Sequence, residues 1–153
     1  WLARRAVAVR VSTDRDRYVP GDPVRLTAEF RNRLPVAIEV ETPRRRLWGW
    51  TVDGELEASD ERRYASEAGG TLSFRPRERK RIRWRWDGRF KRSGDPTRWE
   101  PAEPGEYEIV AFVALDAPER PADRTTVRIE EPGEPSRRED PNRDARGEGT
   151  EGR

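Results

Sequence analysis

The chain has 153 residues and a formal net charge of only +2, although 41% of its residues are charged and only 32% are hydrophobic. It contains neither cysteine nor histidine. That excludes disulfides, thiol and Ser-His nucleophiles, imidazole or thiolate metal sites and the usual proton shuttle at neutral pH. An enzyme would have to work with carboxylates, lysine, arginine or tyrosine alone, so the expectation is a protein that is not an enzyme and holds no cofactor.

Basic charge is almost entirely arginine, since Lys80 and Lys91 are the only lysines. No apolar run reaches the length of a membrane span, and a cytoplasmic location is expected. The chain opens at Trp1 without an initiator methionine, so it reads as a fragment that can have lost an upstream signal or anchor.

In chain order, residues 6–13 alternate Val7, Val9 and Val11 on one face and read as a first strand. A polar connection ends in Tyr18-Val19-Pro20-Gly21, where proline and glycine set a tight turn. Val24, Leu26, Ala28 and Phe30 alternate through the second strand, and Val36, Ile38 and Val40 are expected to face inward from the third. Residues 47–52 (Leu-Trp-Gly-Trp-Thr-Val) form the next strand. Its Gly49 predicts a bulge or a close backbone approach, and Asp53-Gly54 signals a hairpin.

Residues 55–70 read as the longest loop of the body, with Tyr64 its only large ring, and residues 71–74 as a short strand. Residues 79–88 carry the most regular pattern, with Ile82, Trp84 and Trp86 on one face and Arg81, Arg83 and Arg85 on the other before an Asp87-Gly88 turn. A second polar loop, 89–104, holds Phe90 and Trp99. Residues 106–115 are apolar on both faces, as expected of a central strand covered on both sides, and residues 125–129 close the body. From residue 131 onward only proline, glycine and mixed charge remain, the composition of a disordered tail.

The motifs for chemistry are weak. Asp14, Asp16 and Asp22 surround the first turn without the spacing of a calcium loop, and no phosphate-binding glycine pattern exists. Between Arg75 and Arg92, ten Lys or Arg residues face only Glu78 and Asp87. Arginines interleaved with tryptophans can stack on and neutralise nucleic acid. Here the alternation puts Trp84 and Trp86 on the opposite face from Arg83 and Arg85, which argues against nucleic acid. A solvated strand face, with acids such as Glu39 and Glu41 on a neighbour, is the expected arrangement. Trp48 and Trp50 share a face and read as core. Phe90, Trp99, Arg89 and Arg92, in a loop, are the candidate partner-binding residues.

Short strands punctuated by turn signals, without a sustained helical period, predict an all-β chain. The expected fold is an immunoglobulin-like antiparallel β-sandwich of about eight strands over residues 1–130, with a disordered tail over 131–153. Pro104-Gly105-Glu106-Tyr107 fits a tyrosine corner. A further set of features runs in order: Tyr18-x-Pro20-Gly21-x-x-Val24, the strand ending at Asn32, the tryptophan strand over 47–53, Leu72-x-Phe74-x-Pro76-x-Glu78, Trp86-Asp87-Gly88 and Pro104-Gly105-x-Tyr107. On these the chain resembles the BsuPI-type intracellular proteinase inhibitor domain. It departs from that pattern in placing Trp48-Gly49-Trp50 ahead of Asp53-Gly54. The resemblance implies a non-catalytic protein-binding domain, an inhibitor of intracellular serine proteinases. The alternative is a structural or adhesive interaction module of a cell-envelope protein.

Overall fold

The computed structural model describes residues 5–62 and 68–133. Twelve strands are formed among them: β1 (Val7–Thr13), β2 (Arg17–Tyr18), β3 (Val24–Asn32), β4 (Ile38–Thr42), β5 (Trp48–Val52), β6 (Glu55–Leu56), β7 (Gly70–Phe74), β8 (Arg79–Trp86), β9 (Arg89–Arg92), β10 (Arg98–Pro101), β11 (Gly105–Val113) and β12 (Ala122–Ile129). One sheet has the order β1-β3-β8 and the other β2-β12-β11-β5-β6, while β4-β7 and β9-β10 form two-stranded pairs. Pairing is antiparallel except for the short parallel contact of β2 with β12 and one isolated bridge. The fold is an immunoglobulin-like β-sandwich.

Alternation along the strands builds the core. Val24, Leu26, Ala28 and Phe30 of β3 are buried, and so are Ile109, Ala111 and Val113 of β11 and Val127 and Ile129 of β12. The two sheets interlock through aromatic rings. Trp84 of β8 meets Trp48 and Trp50 of β5 at centroid distances of 5.0 and 5.9 Å, and Phe30 touches Trp48 at 6.0 Å. Trp86, Phe90 and Tyr107 form a second cluster at 5.5 to 5.9 Å. Such pairs add about 0.5–1.5 kcal/mol each beyond the area they bury.

With Trp48 and Trp50 turned inward, Gly49 lies on the opposite face of β5, in register with Phe112 of β11. The Phe112 ring lies over the bare backbone, so that a Cβ on Gly49 would sit 2.6 Å from its Cζ. Above the same ring the Arg120 guanidinium lies 3.5 Å from the centroid. This is the close approach that the glycine between two tryptophans predicted.

Polar side chains fix the connections. The Tyr107 hydroxyl donates to the Glu103 carbonyl at 2.6 Å, which is the tyrosine corner. Asn32 is fully buried; its Nδ2 donates to the carbonyls of Val36 (2.7 Å) and Arg75 (3.0 Å), while its Oδ1 accepts from the Leu34 amide (2.9 Å). At the first turn the Tyr18 hydroxyl donates to Asp14 at 2.6 Å and accepts from the Arg15 amide at 2.9 Å.

Several expectations need correction. Val36 is 55% exposed, because the Asn32 hydrogen bonds hold it in the turn before β4 begins. Within the expected loop 89–104, residues 89–101 form a hairpin, β9–β10. Strand β11 is covered on both faces only in its C-terminal half, where Phe112 is buried, since Glu106 and Glu108 are exposed. Beyond the about eight strands expected, β2, β6, β9 and β10 arise in segments too short or too charged to signal a strand. Tyr64 and the tail from residue 134 onward lie outside the described residues.

Gly49→Ala forces a methyl into the Phe112 ring, and overpacking of this kind costs about 1–3 kcal/mol. The midpoint of urea unfolding reads the loss. A second prediction concerns pH. The Tyr18 hydrogen bond holds the Asp14 carboxyl below its usual range, and the Arg75 backbone amide does the same for Glu78. Groups whose folded pKa is depressed contribute stability above the unfolded value near 4 and lose it as pH falls through the lowered folded values. Stability should therefore fall steadily on acidification below about pH 4, and Asp14→Asn should flatten that decline in a series of urea midpoints.

Candidate functional site

Two surfaces gather the side chains capable of binding. The first is the β9–β10 hairpin. It is tied to the segment after β6 by the Lys91 amide donating to the Ala58 carbonyl (2.9 Å) and by the Ser93 amide and hydroxyl donating to Asp60 (2.7 and 2.9 Å). Trp99 on β10 is 53% exposed. It lies between the Arg89 guanidinium (5.8 Å) and the Lys91 ammonium (5.9 Å), both over its ring. Arg89 is also paired with Asp87 at 3.0 Å.

The other two residues singled out in this segment have different placements. Phe90 is only 7% exposed and belongs to the aromatic cluster with Trp86 and Tyr107. The expected exposed ring is therefore a core side chain, since alternation along β9 sends it inward. Arg92 is held by Glu55 and, at 3.1 Å, by Glu100, and its guanidinium covers the Phe90 ring at 5.1 Å. It fastens the hairpin to the sandwich. Among the predicted four, Trp99 and Arg89 are the ones left on an accessible patch.

The second surface is the outer face of the β1-β3-β8 sheet. The outward positions are Ala8, Arg10 and Ser12 on β1, Arg25, Thr27, Glu29 and Arg31 on β3, and Arg79, Arg81, Arg83 and Arg85 on β8. Register places these residues in rows, with Arg31 opposite Arg79, Glu29 opposite Arg81, Thr27 opposite Arg83 and Arg25 opposite Arg85. Glu29 is the single acid on this face. It pairs with Arg81 at 3.1 Å and more loosely with Arg79 at 3.9 Å. Among the described residues Arg83 and Arg85 make no ion pair.

The acid that serves the β8 arginines is therefore Glu29, not the expected Glu39 or Glu41. Those two lie on β4 opposite Ser73 and Thr71 of β7. The contributions of Arg10, Arg25 and Arg31 went unread in the sequence. The polar phase of β3 is visible there, but its alignment with β8 is set by pairing between strands far apart in the chain.

A third feature is a cleft of about 370 Å³ bordered by Arg44, Arg45, Arg46 and Arg120. Arg46 is committed to Glu57 at 2.6 Å, and burial pushes the Arg120 guanidinium down from its ordinary value. At the first turn, Asp14 and Asp22 are engaged by Arg15 and Tyr18. Among the described residues no group of three acids is placed to hold a metal ion.

Residues 1–130 match DUF7974, described as a family of unknown function. The chain belongs to that family. Among curated proteins none matches the sequence. The DUF7974 chain is similar in fold to the CARDB domain of PF1109 from Pyrococcus furiosus, at 15% identity and a TM-score of 0.50, over 81% of this chain and 94% of that one. It is also similar to part of a β-glucosidase from Erythrobacter marinus, at 13% identity and a TM-score of 0.51, over 81% of this chain and 15% of the enzyme. A Listeria innocua β-glucosidase in complex with isofagomine gives 11% identity and a TM-score of 0.50, over 80% of this chain and 16% of that one. At these identities the likeness is one of fold. No helix among the described residues of this DUF7974 chain is long and apolar enough to cross a membrane.

Two arginine pairs directly opposite each other on the outer sheet face repel, which costs stability. Arg85→Glu turns the repulsion with Arg25 into attraction and should stabilise the protein by about 0.2–1 kcal/mol at low salt. The gain should shrink as salt screens the exposed charges, as urea midpoints at two ionic strengths will read.

Proposed function

We propose that this DUF7974 chain is a non-catalytic protein-binding module that engages its partner through the β9–β10 hairpin. The observation that carries the reading is Trp99, an exposed tryptophan flanked by two cations on a hairpin anchored by Arg92. Tryptophan and arginine are the side chains that most often dominate a binding interface, and a rigid support lowers the entropy cost of using them.

A non-catalytic role is also supported by the carboxylates. Each described acid with a resolved shift, Asp14, Asp60 and Glu78, is held below its usual range by hydrogen-bond donors. A general acid at neutral pH needs the reverse.

The BsuPI-like run of sequence features makes an intracellular serine proteinase the proposed partner, with the hairpin presented to its cleft and the protein acting in the cytoplasm. A second reading, a structural or adhesive module of a cell-envelope protein, is favoured by the recurrence of this fold as a small part of longer chains.

Titration into subtilisin-like and trypsin-like proteinases separates the two readings. Hydrolysis of a small chromogenic peptide is followed, and the mass of the added protein is checked afterwards, because an arginine-rich chain can slow trypsin merely as a substrate. The expected result is saturable inhibition by an intact chain, weakened about 30-fold or more by Trp99→Ala. Undiminished proteinase activity beside an intact chain removes the inhibitor reading and leaves the interaction module.

A further inference from the structure

The two edges of the β1-β3-β8 sheet are treated differently. At the β1 edge the outward Val11 amide donates to Asp123 of β12 at 2.9 Å, so the second sheet covers that side. Strand β8 ends the sheet on the other side, and among the described residues no backbone hydrogen bond beyond its pairing with β3 is made by residues 79–86.

Which backbone groups face this open edge follows from the ladder. The Asn32 amide donates to the Glu78 carbonyl at 2.9 Å, and antiparallel pairs alternate between bonded and non-bonded. The bonded partners of β3 on β8 are therefore Lys80, Ile82, Trp84 and Trp86. The N–H and C=O groups of Arg79, Arg81, Arg83 and Arg85 point away from β3, to the open edge. The same four residues carry their guanidinium groups on the solvent face. One row of residues thus offers unpaired backbone groups and positive charge at every second position, about 6.8 Å apart.

We propose that this edge captures an extended acidic peptide by strand addition. A strand laid along β8 exchanges backbone hydrogen bonds with the four arginines. The residues directly opposite them then project to the same face. Acids at alternate positions of the incoming strand meet Arg81, Arg83 and Arg85 in register. The opposite-charge pairs then relieve the repulsion already present between Arg25 and Arg85.

Charge also decides against other occupants. A second copy of β8 would set arginine against arginine, which disfavours self-pairing and blunts aggregation at the edge. Nucleic acid would meet a flat face without an exposed aromatic ring, since Trp84 and Trp86 point into the sandwich. Stacking, the main sequence-tolerant contribution to single-strand binding, is then missing. This surface is separate from the Trp99 patch, so the proposal stands whether or not the chain inhibits a proteinase.

The probe is a synthetic peptide matching the eight residues of β8, alternating glutamate and threonine and carrying a fluorophore, titrated against the full chain by anisotropy. The controls are the same composition with the glutamates in one block, an oligothymidylate of similar charge, and two N-methylated forms of the alternating peptide. N-methylation at the glutamates removes the donors that would face β8, whereas N-methylation at the threonines removes only outward ones. Saturable binding of the alternating peptide is expected. It should weaken roughly tenfold with Arg83→Glu combined with Arg85→Glu and on N-methylation at glutamate, but not on N-methylation at threonine. The N-methylated pair tests the idea on the unaltered protein, whatever the substitutions do to folding. Equal binding of all acidic peptides, preferential binding of the oligothymidylate, or no binding of the alternating peptide overturns the proposal.

Discussion

Trp84 is where the two sheets of this sandwich are keyed together, and its position dictates much of what surrounds it. Its ring fits between Trp48 and Trp50 of the opposite sheet, which requires those two to share a face and so requires the residue between them to lie on the other. On that other face Phe112 of the neighbouring strand packs against the backbone at Gly49, leaving no room for a side chain.

Around this interlock the connections are held by polar groups that the apolar pattern does not reveal. Asn32 satisfies two carbonyls and one amide from a fully buried position, joining the turn after β3 to the approach to β8. Tyr107 secures the start of β11 through Glu103, while its ring packs on Trp86 and Phe90. The core thus continues beneath the β9–β10 hairpin. One ring of the hairpin, Phe90, is used to attach it to the sandwich, and another, Trp99, remains on the surface. In the proposed reading, a patch supported this way loses little conformational entropy on contact with its partner.

The outer face of the β1-β3-β8 sheet is organised by charge instead of packing. Like charges directly opposite each other are a liability for folding, and one acid, Glu29, serves two of the β8 arginines. The arrangement gives an edge strand that resists pairing with itself while leaving its backbone groups open. Under the strand-addition proposal, such an edge favours partners by charge, which steers encounter and excludes like-charged surfaces.

The sequence by itself determined the fold class, the principal strands and the inward faces of β3, β5 and β8, because an alternation of period two is a local property. That is why the phases of β3 and β8, the glycine between two tryptophans and the tyrosine corner were legible. The hairpin of residues 89–101 was not, since its strands are four residues long and mostly polar. What makes them a hairpin is the bonding to residues 58–60 together with the burial of Phe90. Nor could the sequence tell which of two neighbouring rings would be buried, or that Val36 would be turned out while its carbonyl accepts from the buried Asn32 side chain at the start of the same turn. Strand pairing between residues far apart in the chain aligned Arg25 and Arg31 with the β8 arginines and Glu29 with Arg81. The tertiary structure alone decided that, because register is a relation between strands and no strand carries it by itself.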